Sequence, residues 1–377
     1  MKITDIEITP LNIPFKQPYF WARGVKQGTN IVLVRVQTDE GITGVGESMA
    51  PHAVESVIAT LEAARPECVG QSAFDIARLL ETLYTLNFAR TGNCSARRFA
   101  ALVFAGLEMA LWDAVGKAVG RPVHQLLGGA VHARIGYFGF LQGETPEELA
   151  ADARAMAADG HRVIYVKIGR GADIDLAIAR AVREAIGDKL RLRFDANESW
   201  DLLTATRMIA ALAPYHPEFI EQPTRSESLA ALEQVKRSAG IGIAADQLVF
   251  TPEDVYDVCR HQAADLIVLG LHETGGLVRF RAAAAIAAAA GVNVCLHGVW
   301  ETGITTCASN QVAATVPNLD DGNQYMNHLI AEDIIGAPAL RLDAGQLPVS
   351  ELPGLGFELD EEASGRAAER YRALGSA

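Results

Sequence analysis

The residues of this chain that could do chemistry recur on a beat. Lys167, Asp195, Glu221, Asp246, Gly270 and His297 follow one another at gaps of 28, 26, 25, 24 and 27 residues, each near the end of a short apolar run. Three acids brought together repel one another unless a cation lies between them. All-oxygen ligation selects a hard divalent ion, Mg2+ first and Mn2+ second. Lys167 sits inside "VIYVKI", where a lysine is costly unless its charge or a shifted pKa is used. Burial beside a dication would lower that pKa and make Lys167 a base near neutral pH. A structural ion pair with a neighbouring acid is the alternative.

Each of the other polar positions carries two readings. Asp195 in "RFDANESW" and Asp246 in "IAADQ" could cap the helices that follow. Glu221 in "FIEQP" suits neither core nor cap. Tyr165 shares the strand face of Lys167, as a core aromatic or as a substrate contact. Asn197, two residues past Asp195, is a further candidate substrate contact. His297 is a satisfied core histidine or a catalytic acid–base group. Glu301 caps the next helix or reaches the site. "ETGG", Glu273 to Gly276, is a tight turn whose amides approach a ligand or merely join strand to helix. No P-loop, zinc motif or Ser-His-Asp order is present.

Positioning these groups requires a repeating scaffold. From about residue 135, "GYFGFL", "VIYVKI", "LRLRFDAN", "FIEQP", "IGIAADQ", "DLIVLGL" and "VNVCLHG" alternate with Ala/Leu/Glu-rich helical segments. Seven such units favour a closed (β/α) barrel, whose carboxy-terminal strand ends converge on one mouth. An open doubly wound sheet is the alternative, weakened by the lack of GxGxxG after the first strand. Before the barrel, "DIEITPLNIPF" and "NIVLVRVQTDEGITGVGE" read as strands, with "DEG" as a hairpin turn. Helical patterns follow them, so residues 1 to about 125 form a small α+β domain.

Charge and cysteine usage narrow the setting. With 33 Lys and Arg against 46 Asp and Glu, the net charge of −13 argues against nucleic acid and anionic membranes as partners. Five scattered cysteines without CxxC read as reduced thiols. The amino terminus alternates like a strand and lacks a signal-peptide core. The Ala-rich run Ala282–Gly291 is too short to cross a bilayer. A soluble cytoplasmic protein is expected.

Lys167 on the second barrel strand, Asp195, Glu221 and Asp246 on the third to fifth, and "ALWDAVGKAVGRPVHQLLGG" (110–129) together resemble the enolase superfamily. The nearest likeness is to its muconate-lactonizing and mandelate-racemase-like members, over essentially the whole chain. The resemblance implies an α/β fold, a modified TIM barrel of (β/α)7β type over 126–345. An α+β capping domain of residues 1–125 would be completed by about 346–377. It implies Mg2+ held by Asp195, Glu221 and Asp246, and a small carboxylate substrate whose α-proton is removed to give an enediolate. It implies cap segments near "QPYFWARGVKQ" and "ESMAPHAV" that read the substrate, with Trp21 and Arg23 as contacts, and a homo-oligomer, dimer or octamer.

The departures bear on the reaction. Muconate-lactonizing relatives carry Lys-x-Lys on the second strand, where this chain has Tyr165-x-Lys167, and a lysine ending the sixth, where it has Gly270. Mandelate-racemase relatives place an aspartate there, paired with a histidine on the seventh strand. His297 matches that histidine without the aspartate, while Glu301 resembles the muconate-lactonizing pattern. An unpaired histidine suits protonation of a leaving group, so β-elimination is expected, as a dehydratase or cycloisomerase-type lyase on a hydroxy acid, acid sugar or lactone. Racemisation or epimerisation of an amino-acid or hydroxy-acid derivative is the alternative. A non-catalytic binding barrel is the reading from another class.

Overall fold

The computed structural model describes residues 1–21, 24–50, 54–91 and 96–374. The chain opens with an antiparallel meander of β1 (Ile3–Trp21), β2 (Gly24–Thr38) and β3 (Thr43–Met49). The turn that "DEG" signalled joins β2 to β3, with Gly41 at φ +74° donating its amide to Thr38 O at 3.1 Å. Period-two alternation gives β2 two buried faces. Val32, Val34 and Val36 pack with helices α1 (Val54–Cys68), α2 (Ile76–Thr91) and α3 (Ala96–Val119), whereas Ile31 and Leu33 join the barrel core. This meander and its helices therefore form a cap bonded to the barrel through shared apolar surface.

Helix α3 lies directly on β3. A Cβ at Gly44 or Gly46 would stand 1.9 or 2.1 Å from the carbonyl oxygens of Ala110 and Gly106, so glycine is needed there for approach. Arg97–Val119 is long and apolar enough to cross a membrane by composition alone, yet 83% of its most apolar window is buried in the fold. It is a core helix. The longest apolar helix is thus α3 and not the alanine-rich run further on.

After a short helix α4 (Val123–Leu126) and strand β4 (Arg134–Gly136), strands and helices alternate. They are β5 (Gly139–Phe140), α5 (Pro146–Ala158), β6 (Val163–Lys167), α6 (Ala172–Ile186), β7 (Arg191–Asp195), α7 (Leu202–Leu212), β8 (Phe219–Glu221) and α8 (Leu229–Ser238). Then come β9 (Gly242–Ala245), α9 (Pro252–Arg260), β10 (Leu266–Gly270), the single turn α10 (Leu271–Thr274), α11 (Leu277–Ala289), β11 (Asn293–His297) and α12 (Gly303–Ala313). The seven strands β5 to β11 form one parallel sheet in chain order, without the reversal of a doubly wound sheet. The segment after α12 closes it, bridging Val294 to Leu319 and Tyr137 to Asn323. Arg193 of β7, fully buried, ties this closure to the sheet through Asp320 at 2.6 Å, and also pairs with Glu218, just before β8, at 2.7 Å.

The remaining elements are β12 (Ile335–Ala337), β13 (Gln346–Pro348), β14 (Glu358–Leu359) and α13 (Glu361–Leu374). Helix α13 returns to the cap, where Arg370 Nε donates to Asn12 O at 3.2 Å and Arg35 pairs with Glu361 at 2.6 Å.

Inside the barrel, alternation stacks side chains in layers. Phe219, Ala244, Leu266, Val268 and Cys295 form a small apolar cluster low in the lumen. One residue pair further along these strands, at the mouth, stand Glu221, Asp246, Gly270 and His297. Lys167 and Asp195 are direct neighbours in register, as are Asp195 and Glu221, and Gly270 and His297.

Candidate active site

The strand-end acids are not helix caps. Asp201 caps α7 by accepting from Thr204 N at 2.7 Å, and Thr251 caps α9 in a capping box with Asp254. Asp195, Glu221 and Asp246 are at most 2% exposed. One carboxylate oxygen from each lies within 4.8 Å of the others. Burial first, then repulsion from Asp195 and Asp246, drives the Glu221 pKa well above its ordinary value. Burial also lifts Asp246 to about 7, against the pull of His297. These are acids held together against their mutual repulsion.

Two neighbours on β6 hold them there. Lys167 Nζ donates to Asp195 Oδ2 in a close ion pair. Burial opposes the ammonium charge, but Asp195, with Tyr19 and Glu221, outweighs it and raises the Lys167 pKa. Here the ammonium is itself the counter-ion of the acids, whereas the expected lowering belongs to a site whose acids hold a dication. Tyr165, 1% exposed, lies beneath the acids and donates towards Asp195 Oδ2 at 2.6 Å and Glu221 Oε1 at 2.9 Å. Its ring stacks on Phe138 with centroids 4.2 Å apart. Tyr165 is thus both core aromatic and carboxylate holder. Asn197, at φ +48°, donates its amide to Asp195 Oδ1 at 2.7 Å and its side chain to Oδ2 at 3.1 Å.

On the opposite side of Asp246 stands His297. Its Nδ1 lies 2.8 Å from Glu273 Oε2 and 3.6 Å from Asp246 Oδ1. Burial opposes its charge, yet Asp246 and Glu273 prevail and raise its pKa to about 10. His297 therefore does have an acidic partner, supplied by Glu273 in α10 and not by position 270. The sequence reading treated "ETGG" as a turn and missed this. The available signal was an acid one helical turn beyond a strand-end glycine.

Glu301 does not cap α12, which Thr302 caps through Ile304 N. Its carboxylate accepts from Val299 N and is pushed to about 7, chiefly by burial. Glu47 of β3, fully buried, accepts from Thr302 N at 3.0 Å and joins cap to barrel behind it. Tyr19 is 2% exposed, packs edge-on to Trp300 at 5.8 Å, and feels the charges of Lys167 and the three acids. Lys26 lies 3.9 Å over the Trp300 ring. Tyr19 and Lys26 lie in the marked segment "QPYFWARGVKQ", but sequence reasoning singled out neither of them, nor Trp300. Arg23 and the side chain of Trp21 lie outside the described residues.

Comparison with known proteins agrees with this architecture. Residues 3–128 match the family model for the mandelate racemase / muconate lactonizing enzyme N-terminal domain, and residues 148–363 match the enolase C-terminal domain-like model. The chain is 34% identical over 369 residues to a chloromuconate cycloisomerase of Cupriavidus pinatubonensis, covering 95% of this chain and 96% of that one. It is 28% identical to the L-Ala-D/L-Glu epimerase of Bacillus subtilis, covering 95% and 97%. The crystal structure of muconate lactonizing enzyme from Pseudomonas fluorescens complexed with muconolactone superposes with TM-score 0.89 at 31% identity, covering 97% and 99%.

Proposed function

The chain belongs to the mandelate racemase/muconate lactonizing enzyme family of the enolase superfamily, and from that premise we propose that it removes the α-proton of a small carboxylate substrate with Mg2+ as cofactor. The observation that carries this reading is the meeting of Lys167 with three buried carboxylates at the ends of consecutive strands.

The residues present fit a hard dication. Asp246 Oδ1 is buried without a protein hydrogen-bond partner, and the donor set is all oxygen. Asp195, Glu221 and Asp246 would hold it, and Mn2+ suits the same set. When bound, the ion supplies Lewis-acid stabilisation of negative charge developing on the substrate carboxylate. Tyr165 and Asn197 keep the acids oriented by hydrogen bonds, the support that metal ligands require. Asp195 sustains the Lys167 charge and burial opposes it. A cation held by the same acids would oppose the ammonium charge as burial does, which favours the amine as a base. Lys167 Nζ is the group placed to take the α-proton, and His297 handles a proton from across Asp246.

Two outcomes follow from that arrangement. His297 as acid to a β leaving group gives elimination, the dehydratase or cycloisomerase sense, and the 34%-identical relative is a cycloisomerase. His297 as acid or base at the α-carbon gives racemisation or epimerisation. The bond from Glu273 to Nδ1 favours this second reading, because a partnered imidazole is a competent base, and it removes the ground for preferring elimination on account of an unpaired ring. A cytoplasmic site of action and free thiols belong to the same reading, and the described cysteines 68, 259, 295 and 307 are unbridged.

The test is incubation of Mg2+-loaded protein in D2O with muconate, L-Ala-L-Glu, acid sugars and hydroxy acids. Deuterium in recovered, inverted substrate identifies epimerisation, and a 2-keto acid or lactone product identifies elimination or cycloisomerisation. A protein that exchanges no α-proton and gains no melting temperature from Mg2+ would be a binding barrel instead.

A further inference from the structure

Gly270 ends β10 beside His297, in direct register with it. Its backbone, at φ −90° and ψ 141°, is one that any residue adopts, so conformation does not demand glycine. Space does. A Cβ at 270 would fall 2.1 Å from Glu273 Oε2 and 2.9 Å from its Cδ. No side chain at 270 is compatible with the carboxylate where it stands. Glu273, 6% exposed, fills that volume from one helical turn further along.

The turn that delivers it is fixed. His272 Nε2 bonds Glu47 O of the cap at 2.7 Å, and Thr274 Oγ1 donates to Gly270 O at 2.9 Å. Gly276 N donates to Leu271 O at 2.9 Å, and a Cβ at Gly276 would strike Glu108 of α3. Asp246 also faces Nδ1, but at 3.6 Å it is beyond a hydrogen bond, and it belongs to the metal-ligand set proposed above.

We propose that Glu273, occupying the space left by Gly270, is the positioning residue of His297, holding Nδ1–H so that Nε2 is the nitrogen that exchanges a proton with substrate. The pair thus relocates the acidic partner of the seventh-strand histidine from the end of the sixth strand to the turn after it. This deepens the α-proton chemistry proposed above and rests on it. A carboxylate that orients an imidazole acts through tautomer and ring placement.

The test uses the full-length, Mg2+-loaded protein labelled with 15N-histidine, with His297→Asn to assign the ring. The wild type should show an Nδ1–H proton strongly hydrogen-bonded to carboxylate. Glu273→Ala should lose it. Gly270→Ala should lose it too, since the added methyl displaces the carboxylate tip while Glu273 remains. The double variant Gly270→Asp/Glu273→Ala should restore it. If L-Ala-L-Glu is the acid that exchanges, Glu273→Gln should slow exchange on the His297 face by about 10²–10⁴-fold and leave exchange on the Lys167 face in place.

An Nδ1–H proton unchanged in both Glu273→Ala and Gly270→Ala would overturn the proposal, as would equal loss of exchange on both faces. A fall in bound Mg2+ from two ions to one in Glu273→Ala would also overturn it, because Asp246, Glu273 and His297 would then be ligands of a second ion. The ring spectrum requires no substrate. A failed substrate screen therefore counts against the proposed function and not against this assignment.

Discussion

Replacing Glu108 with glutamine should make the protein more stable at high pH and leave it nearly unchanged at low pH. Glu108 lies on α3, fully buried, at the seam between cap and barrel. Its Oε1 accepts from Trp112 Nε1 and Val278 N, each at 3.1 Å, while Oε2 has no protein partner among the described residues. Burial is the largest influence and raises its pKa from 4.5 to about 7. A folded pKa above the unfolded one means that stability is complete below pH 4.5 and is lost as pH rises through 7. That rise corresponds to about 3 kcal/mol, with no discount for exposure because the group is fully buried. With an unfolding entropy of about 2.1 cal/mol/K per residue, this is about 4 °C of melting temperature at this chain length. Melting curves of wild type and Glu108→Gln from pH 5 to 9 should converge at the acid end and separate by about that amount above pH 8. The difference between the two isolates Glu108 from Glu47, whose burial raises it to about 7 as well. Curves that stay parallel across the range would refute the reasoning.

Four further outcomes follow from the geometry. Lys167→Met should lose α-proton exchange by at least about 10²-fold while keeping its Mg2+-dependent melting shift, which separates base from ligand. In the wild type, Mg2+ at about 100 times its Kd should add about 2.7 kcal/mol of stability, and Asp246→Asn should abolish the gain in a thermal titration. Tyr165→Phe removes the hydroxyl that touches Asp195 and Glu221, so Mg2+ affinity measured by calorimetry should fall about 10–100-fold with the barrel intact. Gly46→Ala places a methyl 2.1 Å from Gly106 O, and the overpacking should cost about 1–3 kcal/mol in chemical unfolding without altering metal affinity.

Much of this architecture was legible because barrel strands repeat, and repetition exposes what breaks it. Lys167, Asp195, Glu221 and Asp246 stood out as polar residues closing apolar runs, and the structure brings them into one cluster. The cap reading of the two aspartates could not be dismissed from sequence, since Asp201 and Thr251 do that work a few residues later. Glu273 was hidden for a geometric reason. It lies three positions past the strand-end register, and only the curl of α10 returns it to His297. Within the mouth, the segment "QPYFWARGVKQ" was marked, but which of its residues face inwards was not: Tyr19 and Lys26 meet Trp300 through tertiary packing that no local pattern shows. For Lys167 the strand pattern shows burial and not which neighbour supplies the opposing charge, which the structure assigns to Asp195.

The joint between the two units sets a limit on how such a protein can diversify. Glu47 holds the turn carrying Glu273 through its carbonyl oxygen and the start of α12 through its carboxylate, while Glu108 grips the first turn of α11. A cap transplanted from another relative would have to reproduce those handholds. Grafts that ignore them should loosen the turn that holds Glu273 against His297, so exchanging the whole unit perturbs the barrel mouth as well as the cap.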